Sequence, residues 1–284
     1  MPIPEHATDA ELAIRLATEA GAALLAVRAR AASVDPVELG RLGDRAAHEL
    51  LAARLAEHHP GDAVRSEEAE DDPARHTANR VWIIDPLDGT REYCERGRTD
   101  WAVHVALWSA GDSAAGRSAA GESSPGGSAA GRPGAGEPVD GELVAGAVAL
   151  PALGEAYGTA DPPRPPAPDP GARVRIAVSR SRPPAFLAEL AERMGAELVP
   201  MGSAGAKTMA VVRGEVDAYL HGGGQYEWDS AAPVAVAVAA GLHASRLDGG
   251  PLRYNRPDPL LPDLFVCRPE LVDALRAGLT EVCH

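Results

Sequence analysis

Two aspartates, Asp85 and Asp88, stand at the end of a short apolar run, Val81-Trp82-Ile83-Ile84, with Gly89-Thr90 directly behind them. Carboxylates this close repel unless a cation sits between them. Hard divalent ions such as Mg²⁺ prefer carboxylate, carbonyl and water oxygen. Gly89 would let the backbone approach a ligand closely. A helix starting there would turn its first N–H groups outward and so create an anion site. The chemistry on offer is a metal cluster beside a phosphate cradle. The same residues also read as a polar Pro-Asp-Gly turn leaving a strand, and taken alone the stretch leaves both readings open.

Three further acidic elements invite the same question. Asp44 reads most simply as the N-cap of a helix that begins there after a break at Leu39 to Gly43. It could equally aim a carboxylate at a site by that helix end. Glu67-Glu68 closes a strand-like Val64-Arg65-Ser66, and such a pair is ordinarily a solvated one. Asp229 opens an Ala/Val-rich helix from Ser230 to Ala240, again as a cap or as a ligand.

The elements that must position these residues follow from periodicity. Thr8-Asp9-Ala10-Glu11 fits a capping box, and Leu12, Leu16, Ala20 and Ala23 continue at helical spacing to about Arg28. Val81 to Ile84 reads as a buried strand that Pro86 stops, because proline has no N–H for a ladder. In Trp101 to Trp108 the residues Trp101, Val103, Val105 and Leu107 share one face. His104, on the other face, reads as structural. Ser109 to Asp140 is rich in Ser, Ala, Gly and Pro and predicts a flexible insertion dispensable for chemistry. Gly141 to Leu150 and Glu155 to Gly158 predict a hairpin.

Proline-dense Asp161 to Gly171 marks a boundary, so we expect subdomains 1–160 and 161–284. Beyond it, strands at Val174 to Val178, Glu197 to Val199, Val216 to Leu220 and Leu264 to Val266 alternate with helices at Ala185 to Met194, Ala204 to Val212 and Pro269 to Leu279. This alternation is the mark of an α/β layer.

A chain of 284 residues can bury a substantial core. Its net charge of -14 argues against a nucleic-acid or anionic-membrane surface. Bound metal would still admit a small anionic substrate. Cys94, Cys267 and Cys283 form no close pair, so neither a disulfide framework nor a zinc knuckle is indicated, and the cytosol is the expected compartment. Met1 to Glu11 lacks the basic and apolar regions of a signal peptide. The longest apolar run, Ala231 to Leu242, falls short of the ~20 residues that span a bilayer. A cytoplasmic protein is expected.

Taken together, Asp44, Glu67-Glu68, Asp85-Pro86-Leu87-Asp88-Gly89-Thr90 and Trp228-Asp229-Ser230-Ala231-Ala232 resemble the signature of the inositol monophosphatase superfamily. These are Mg²⁺-dependent, lithium-sensitive phosphomonoesterases with an αβαβα sandwich. The likeness covers nearly the whole chain outside Ser109 to Asp140. Asp85 to Tyr93 with Gly97 to Trp101 looks most like the bacterial CysQ-type 3'(2'),5'-bisphosphate nucleotidases, which clear 3'-phosphoadenosine 5'-phosphate (PAP) in sulfate assimilation. Val178 to Arg182 and Gly202 to Lys207, the latter holding the only lysine, are similar to segments of those enzymes, and the arginine-rich chain resembles their actinobacterial branch. Two positions depart from the pattern: Ala240-Gly241-Leu242 stands where a Gly-Gly pair is frequent, and Arg182 where histidine is frequent.

The resemblance implies two to three Mg²⁺ ions. Glu67, Asp85 and the Leu87 carbonyl would hold one. Asp85, Asp88 and Asp229 would hold a second, and a third would sit by water near Glu67 and Asp44. Thr90, paired with Asp44, would orient the attacking water with help from Glu67, while Glu68 supports the cluster. Leu87, Asp88, Gly89, Thr90 and Asp229 would contact the phosphoryl group. Ser179, Arg180, Arg182 and Lys207 are the expected contacts for the far phosphate, since arginine forks match phosphate oxygens. The expected substrate is PAP, with 3'-phosphoadenylyl sulfate as a further one. The alternatives are inositol-1-monophosphatase or fructose-1,6-bisphosphatase activity on the same site, or a non-catalytic nucleotide or Mg²⁺ sensor. The family's members imply a monomer or a homodimer.

Overall fold

The computed structural model describes residues 7–31, 33–111, 141–168 and 171–282. Most of the expected insertion, residues 112–140, lies outside them. Thr8 caps the first helix, α1 (Asp9–Arg30), through the expected capping box with Glu11. The second helix, α2 (Pro36–His58), corrects the expectation of a break at Leu39 to Gly43. Asp35, not Asp44, is its N-cap, accepting from the backbone N–H groups of Val37 and Glu38. Pro36 occupies the first turn, where its missing N–H costs nothing.

The glycines that read as a break serve packing instead. A side chain at Gly40 would meet Thr90 at 2.8 Å, and one at Gly43 would meet Tyr93 at 2.9 Å. Only glycine lets α2 lie this close to the turn that follows Asp88. Asp44 therefore sits inside a helix.

The first sheet runs in the order β1-β2-β3-β4-β5. Its strands are β1 (Ala63–Ser66), β2 (Arg80–Asp88), β3 (Ala102–Ala110), β4 (Gly141–Leu150) and β5 (Glu155–Gly158). Only β1 and β2 pair in parallel, and β4 with β5 forms the expected hairpin. The second sheet runs β10-β12-β8-β6-β7. It contains β6 (Arg175–Ser179), β7 (Glu197–Met201), β8 (Ala218–His221), β10 (His243–Ser245) and β12 (Leu264–Cys267). A small ribbon joins β9 (Gln225–Tyr226) to β11 (Leu260–Leu261).

Five layers result. Helices α1 and α2 cover one face of the first sheet through Leu16, Leu24, Leu51, Trp82, Trp101 and Val105. Two helices lie between the sheets, α5 (Ala204–Val212) and α6 (Glu227–Ala239), with Met209, Ala231 and Val236 in the shared core. The outer face of the second sheet is covered by α4 (Phe186–Met194) and α7 (Val272–Val282), through Leu187, Leu190 and Leu275. This is the expected α/β layered αβαβα sandwich. A five-residue helix, α3 (Thr90–Cys94), follows β2. No described helix is long and apolar enough to cross a membrane.

Pro86 does not stop the sheet. Strand β2 continues to Asp88 through an irregularity in which Asp85 pairs with His104 and Asp88 with Ala102. Two residues, Pro86 and Leu87, oppose one, so the proline sits in a bulge where no ladder N–H is asked of it. In a regular strand Asp85 and Asp88 would face opposite ways. The extra residue brings them to one side, and Leu87 joins the core under α2. Both aspartates thereby face the middle layer.

Candidate active site

Asp85, Asp88 and Asp229 meet at this bulge and the start of α6, each offering an oxygen within 4.8 Å of the others. Asp85 is buried; one carboxyl oxygen accepts from the Leu87 N–H at 3.0 Å, and the other has no hydrogen-bond partner. Burial, then the charges of Glu67, Asp88 and Asp229, push its carboxyl well above the usual range. Asp229 accepts from the Tyr226 N–H at 2.6 Å as part of a cap on α6. Burial and the Asp88 charge raise it to about 6.

Asp88 behaves oppositely. Its burial would raise it, but the positive charge of His104, whose Nε2 lies 3.2 Å away, a hydrogen bond from Ser203 and the charge of Lys207 hold it below the usual range. One of its oxygens accepts from the Ser203 hydroxyl and from the Gly205 N–H at 2.7 Å, so Asp88 also caps α5.

Glu67 follows the last residue of β1, and its backbone N–H donates to the Ile84 carbonyl at 3.4 Å. It remains open to solvent on one side. Burial of its carboxyl, then the charges of Asp229 and Asp88, lift it to about 7. Asp44 is also lifted to about 7, by burial and then by Glu68. It shares a hollow between α2 and α3 with Thr90. The expected pairing of these two is not what the structure holds: the Thr90 hydroxyl donates to the Leu87 carbonyl at 3.2 Å. Gly89 adopts φ +86°, a conformation glycine takes without strain.

The donor set fits divalent metal ions. It consists of carboxylate oxygens, one of them buried with no partner, in a cluster whose members resist losing their protons together. Hard oxygen ligands of this kind suit Mg²⁺, Ca²⁺ or Mn²⁺.

From Asp88 and Asp229 a cavity of about 260 Å³ runs along Lys207, Tyr219, His221 and Gln225 to Ser179, Ser181 and Arg182. The second sheet positions this far end: β6 delivers Ser179, and β8 delivers Tyr219 and His221. Burial pushes His221 down to about 4, so its ring is neutral. Arg182 lines the cavity, and among the described residues no ion pair holds its guanidinium.

One of the expected phosphate contacts needs correction. Arg180 turns out of the cavity to Glu92 at 2.8 Å and Glu95 at 2.7 Å, on and after α3, because that acidic pair lies across from the end of β6. Lys207 does line the cavity; its ammonium donates to the carbonyls of Gly202 and Ser203, at 3.2 and 2.6 Å, lies over the Tyr219 ring and keeps a third N–H. Its pKa is lowered by burial.

Sequence reasoning missed His104, Tyr219, His221 and Gln225 as residues of this region, and it gave Ser203 and Gly205, within the Gly202 to Lys207 segment, no role. The Gly222-Gly223-Gly224 run just before Trp228-Asp229 was the available signal for the cavity's far wall. For Ser203 and Gly205 the signal was their place at a helix start.

A layered αβαβα fold with an aspartate cluster at a strand bulge and a helix start defines a class of metal-dependent phosphatases. The chain belongs to the inositol monophosphatase family, whose model matches residues 6–119 and 136–279. It is 51% identical over 277 residues to the 3'-phosphoadenosine 5'-phosphate phosphatase of Mycobacterium leprae, covering 97% of this chain and 94% of that protein. The protein of the same description from Mycobacterium tuberculosis is 50% identical, with 93% of this chain and 90% of that one covered. Among solved structures, CysQ from Bacteroides thetaiotaomicron superposes with a TM-score of 0.66 at 26% identity, over 90% of this chain and 95% of that one.

Proposed function

We propose that this chain is a Mg²⁺-dependent phosphomonoesterase that removes the 3'-phosphate of PAP, and of 3'-phosphoadenylyl sulfate, leaving the 5' end intact. The observation that carries this reading is the cavity with two unlike ends: a carboxylate cluster at one, and Arg182 with Ser179 and Ser181 at the other. A substrate bearing two separated anionic groups fits that layout. The names and the roughly 50% identity of the Mycobacterium relatives support it.

Glu67, Asp85, Asp88, Asp229 and the Leu87 carbonyl would hold two to three Mg²⁺ ions. When bound, such ions polarise phosphoryl oxygens and bring the pKa of water toward neutrality. The protein's own groups set the geometry. The backbone N–H groups of Gly89 and Thr90, at the turn after Asp88, would face the phosphoryl oxygens as they gain charge. Thr90 donates its proton to Leu87 and keeps lone pairs to accept a hydrogen bond from the attacking water. Asp44, with a carboxyl near 7 across the same hollow, is suited to take a proton at neutral pH. Water adds to phosphorus and gives a proton to Asp44, the bond to the 3'-oxygen breaks, and that oxygen takes a proton from solvent.

The neutral walls at Tyr219, His221 and Gln225 would take the nucleoside, and Arg182 the 5'-phosphate. We thus assign the chemistry to the amino-terminal half with Asp229, and selectivity to residues beyond 161. Phosphorus NMR of PAP incubated with the protein and Mg²⁺ tests this. The 3' resonance should disappear into inorganic phosphate while the 5' resonance persists. Loss of the 5' resonance, or no reaction, would overturn the proposal.

A further inference from the structure

His104 is fully buried on β3, in register with Asp85 across the β2–β3 ladder. Its Nδ1 lies 3.0 Å from the Trp228 carbonyl, so Nδ1 carries a proton, and the positive charge beside Asp88 puts a second one on Nε2. Trp228 directly precedes Asp229. The other nitrogen, Nε2, stands 3.2 Å from the Asp88 carboxyl oxygen that Ser203 and Gly205 also hold. The fit is close on every side: a side chain at Gly205 would lie 2.1 Å from Nε2. One imidazole thus touches the strand of Asp85, the carboxylate of Asp88 and the helix start that carries Asp229.

We propose that His104 is a positioning residue for the metal cluster, fixing the spacing of Asp85, Asp88 and Asp229 and turning the second Asp88 oxygen toward the ions. The proposal rests on the metal-dependent reading above. Asp88 lies on β2 in the first sheet, while Asp229 opens a middle-layer helix from the other half of the chain. The ring links these two elements at the point where their carboxylates must converge. Asp88 receives three contacts on one oxygen, an arrangement that holds a ligand still while leaving its other oxygen uncommitted. Partners of this kind orient a ligand without touching the metal, and removing one costs about 10–100-fold in metal affinity or activity.

The test is Mn²⁺ binding, read as loss of the free-ion signal in electron paramagnetic resonance, for the parent, H104A, H104N and H104Q, with steady-state kinetics on PAP alongside. His104→Asn can keep a donor toward Trp228 and loses reach to Asp88, whereas His104→Gln reaches Asp88; both preserve more of the ring's volume than alanine. We expect Mn²⁺ affinity to fall about 10–100-fold in H104A, with partial recovery in H104Q. At saturating Mg²⁺ the KM for PAP should stay within about twofold, because the substrate walls are untouched. A merely structural role would lower the melting temperature and leave the Mn²⁺ affinity of the folded protein unchanged. Folded H104N and H104Q with parental Mn²⁺ affinity would overturn the positioning role while the metal reading stands. A parent that binds no Mn²⁺ would overturn both.

Discussion

The two ends of the cavity are built in different ways. At the acidic end Asp85, Asp88 and Asp229 are each held by backbone N–H donors, from Leu87, Gly205 and Tyr226. At the other end Arg182 has no ion-pair partner among the described residues, and Ser179, Ser181 and the neutral ring of His221 line the same wall. The first arrangement spends hydrogen bonds on fixing charges for chemistry. The second leaves polar groups uncommitted, as a site awaiting a ligand requires. Rigidity at one end and availability at the other separate catalysis from selection, and substitutions at the two ends should separate in the same way.

The largest effect should come from Asp85→Asn, which removes the charge from the centre of the cluster. Turnover of PAP should fall about a thousandfold or more, the equivalent of several kcal/mol of lost transition-state stabilisation. Circular dichroism should show the fold intact, and a variant keeping most of its activity would break the metal account. Arg182→Ala comes next. Losing a charged hydrogen bond to phosphate should lower kcat/KM for PAP about 10–100-fold. Activity on 3'-AMP, which lacks the second phosphate, should change little. Equal losses on both substrates would erase the distinction between the ends.

The acidic end should also betray itself in stability. Asp44 and Glu67, near 7, and Asp229, near 6, keep protons in the metal-free fold that the unfolded chain releases near pH 4. The folded state then binds more protons, so their contribution to stability is present at pH 4 and is lost as pH rises toward 7. With a chelator, the melting temperature should drop between pH 5 and 8. Mg²⁺ should raise it more at pH 8 than at pH 5.5, because metal competes with those protons. A chelated protein that gains stability over this range would contradict the account. The smallest effect is expected for Arg180→Ala: its partners Glu92 and Glu95 lie outside the cavity, so kcat/KM should stay within about twofold. A large loss would return Arg180 to the phosphate end.

How much of this was legible in the sequence follows the same divide. The acidic end was readable because its residues lie in contiguous motifs, and the elements carrying them announce themselves through the Thr8 capping box and the alternation from Trp101 to Leu107. The bulge was not readable. Pro86 argues for a strand end, and only pairing with β3 shows that it sits where no N–H is needed. Gly40 and Gly43 misled for a related reason: glycine signals a break when conformation decides, but here close packing against Thr90 and Tyr93 decides. His104 looked structural because a lone histidine in an apolar strand usually is. Its role comes from Trp228, 124 residues away. The far end depends on which arginine turns inward, and Glu92 and Glu95 settle that for Arg180 through a contact between distant segments.

The most direct test of the central claim is kcat/KM for PAP and for inositol 1-phosphate, measured with Mg²⁺ in one preparation. A preference for PAP of about 100-fold or more, roughly 2.7 kcal/mol of discrimination, is the expected result. Comparable values would contradict it, because a carboxylate cluster paired with a far end that selects nothing would be the same phosphatase without a nucleotide site.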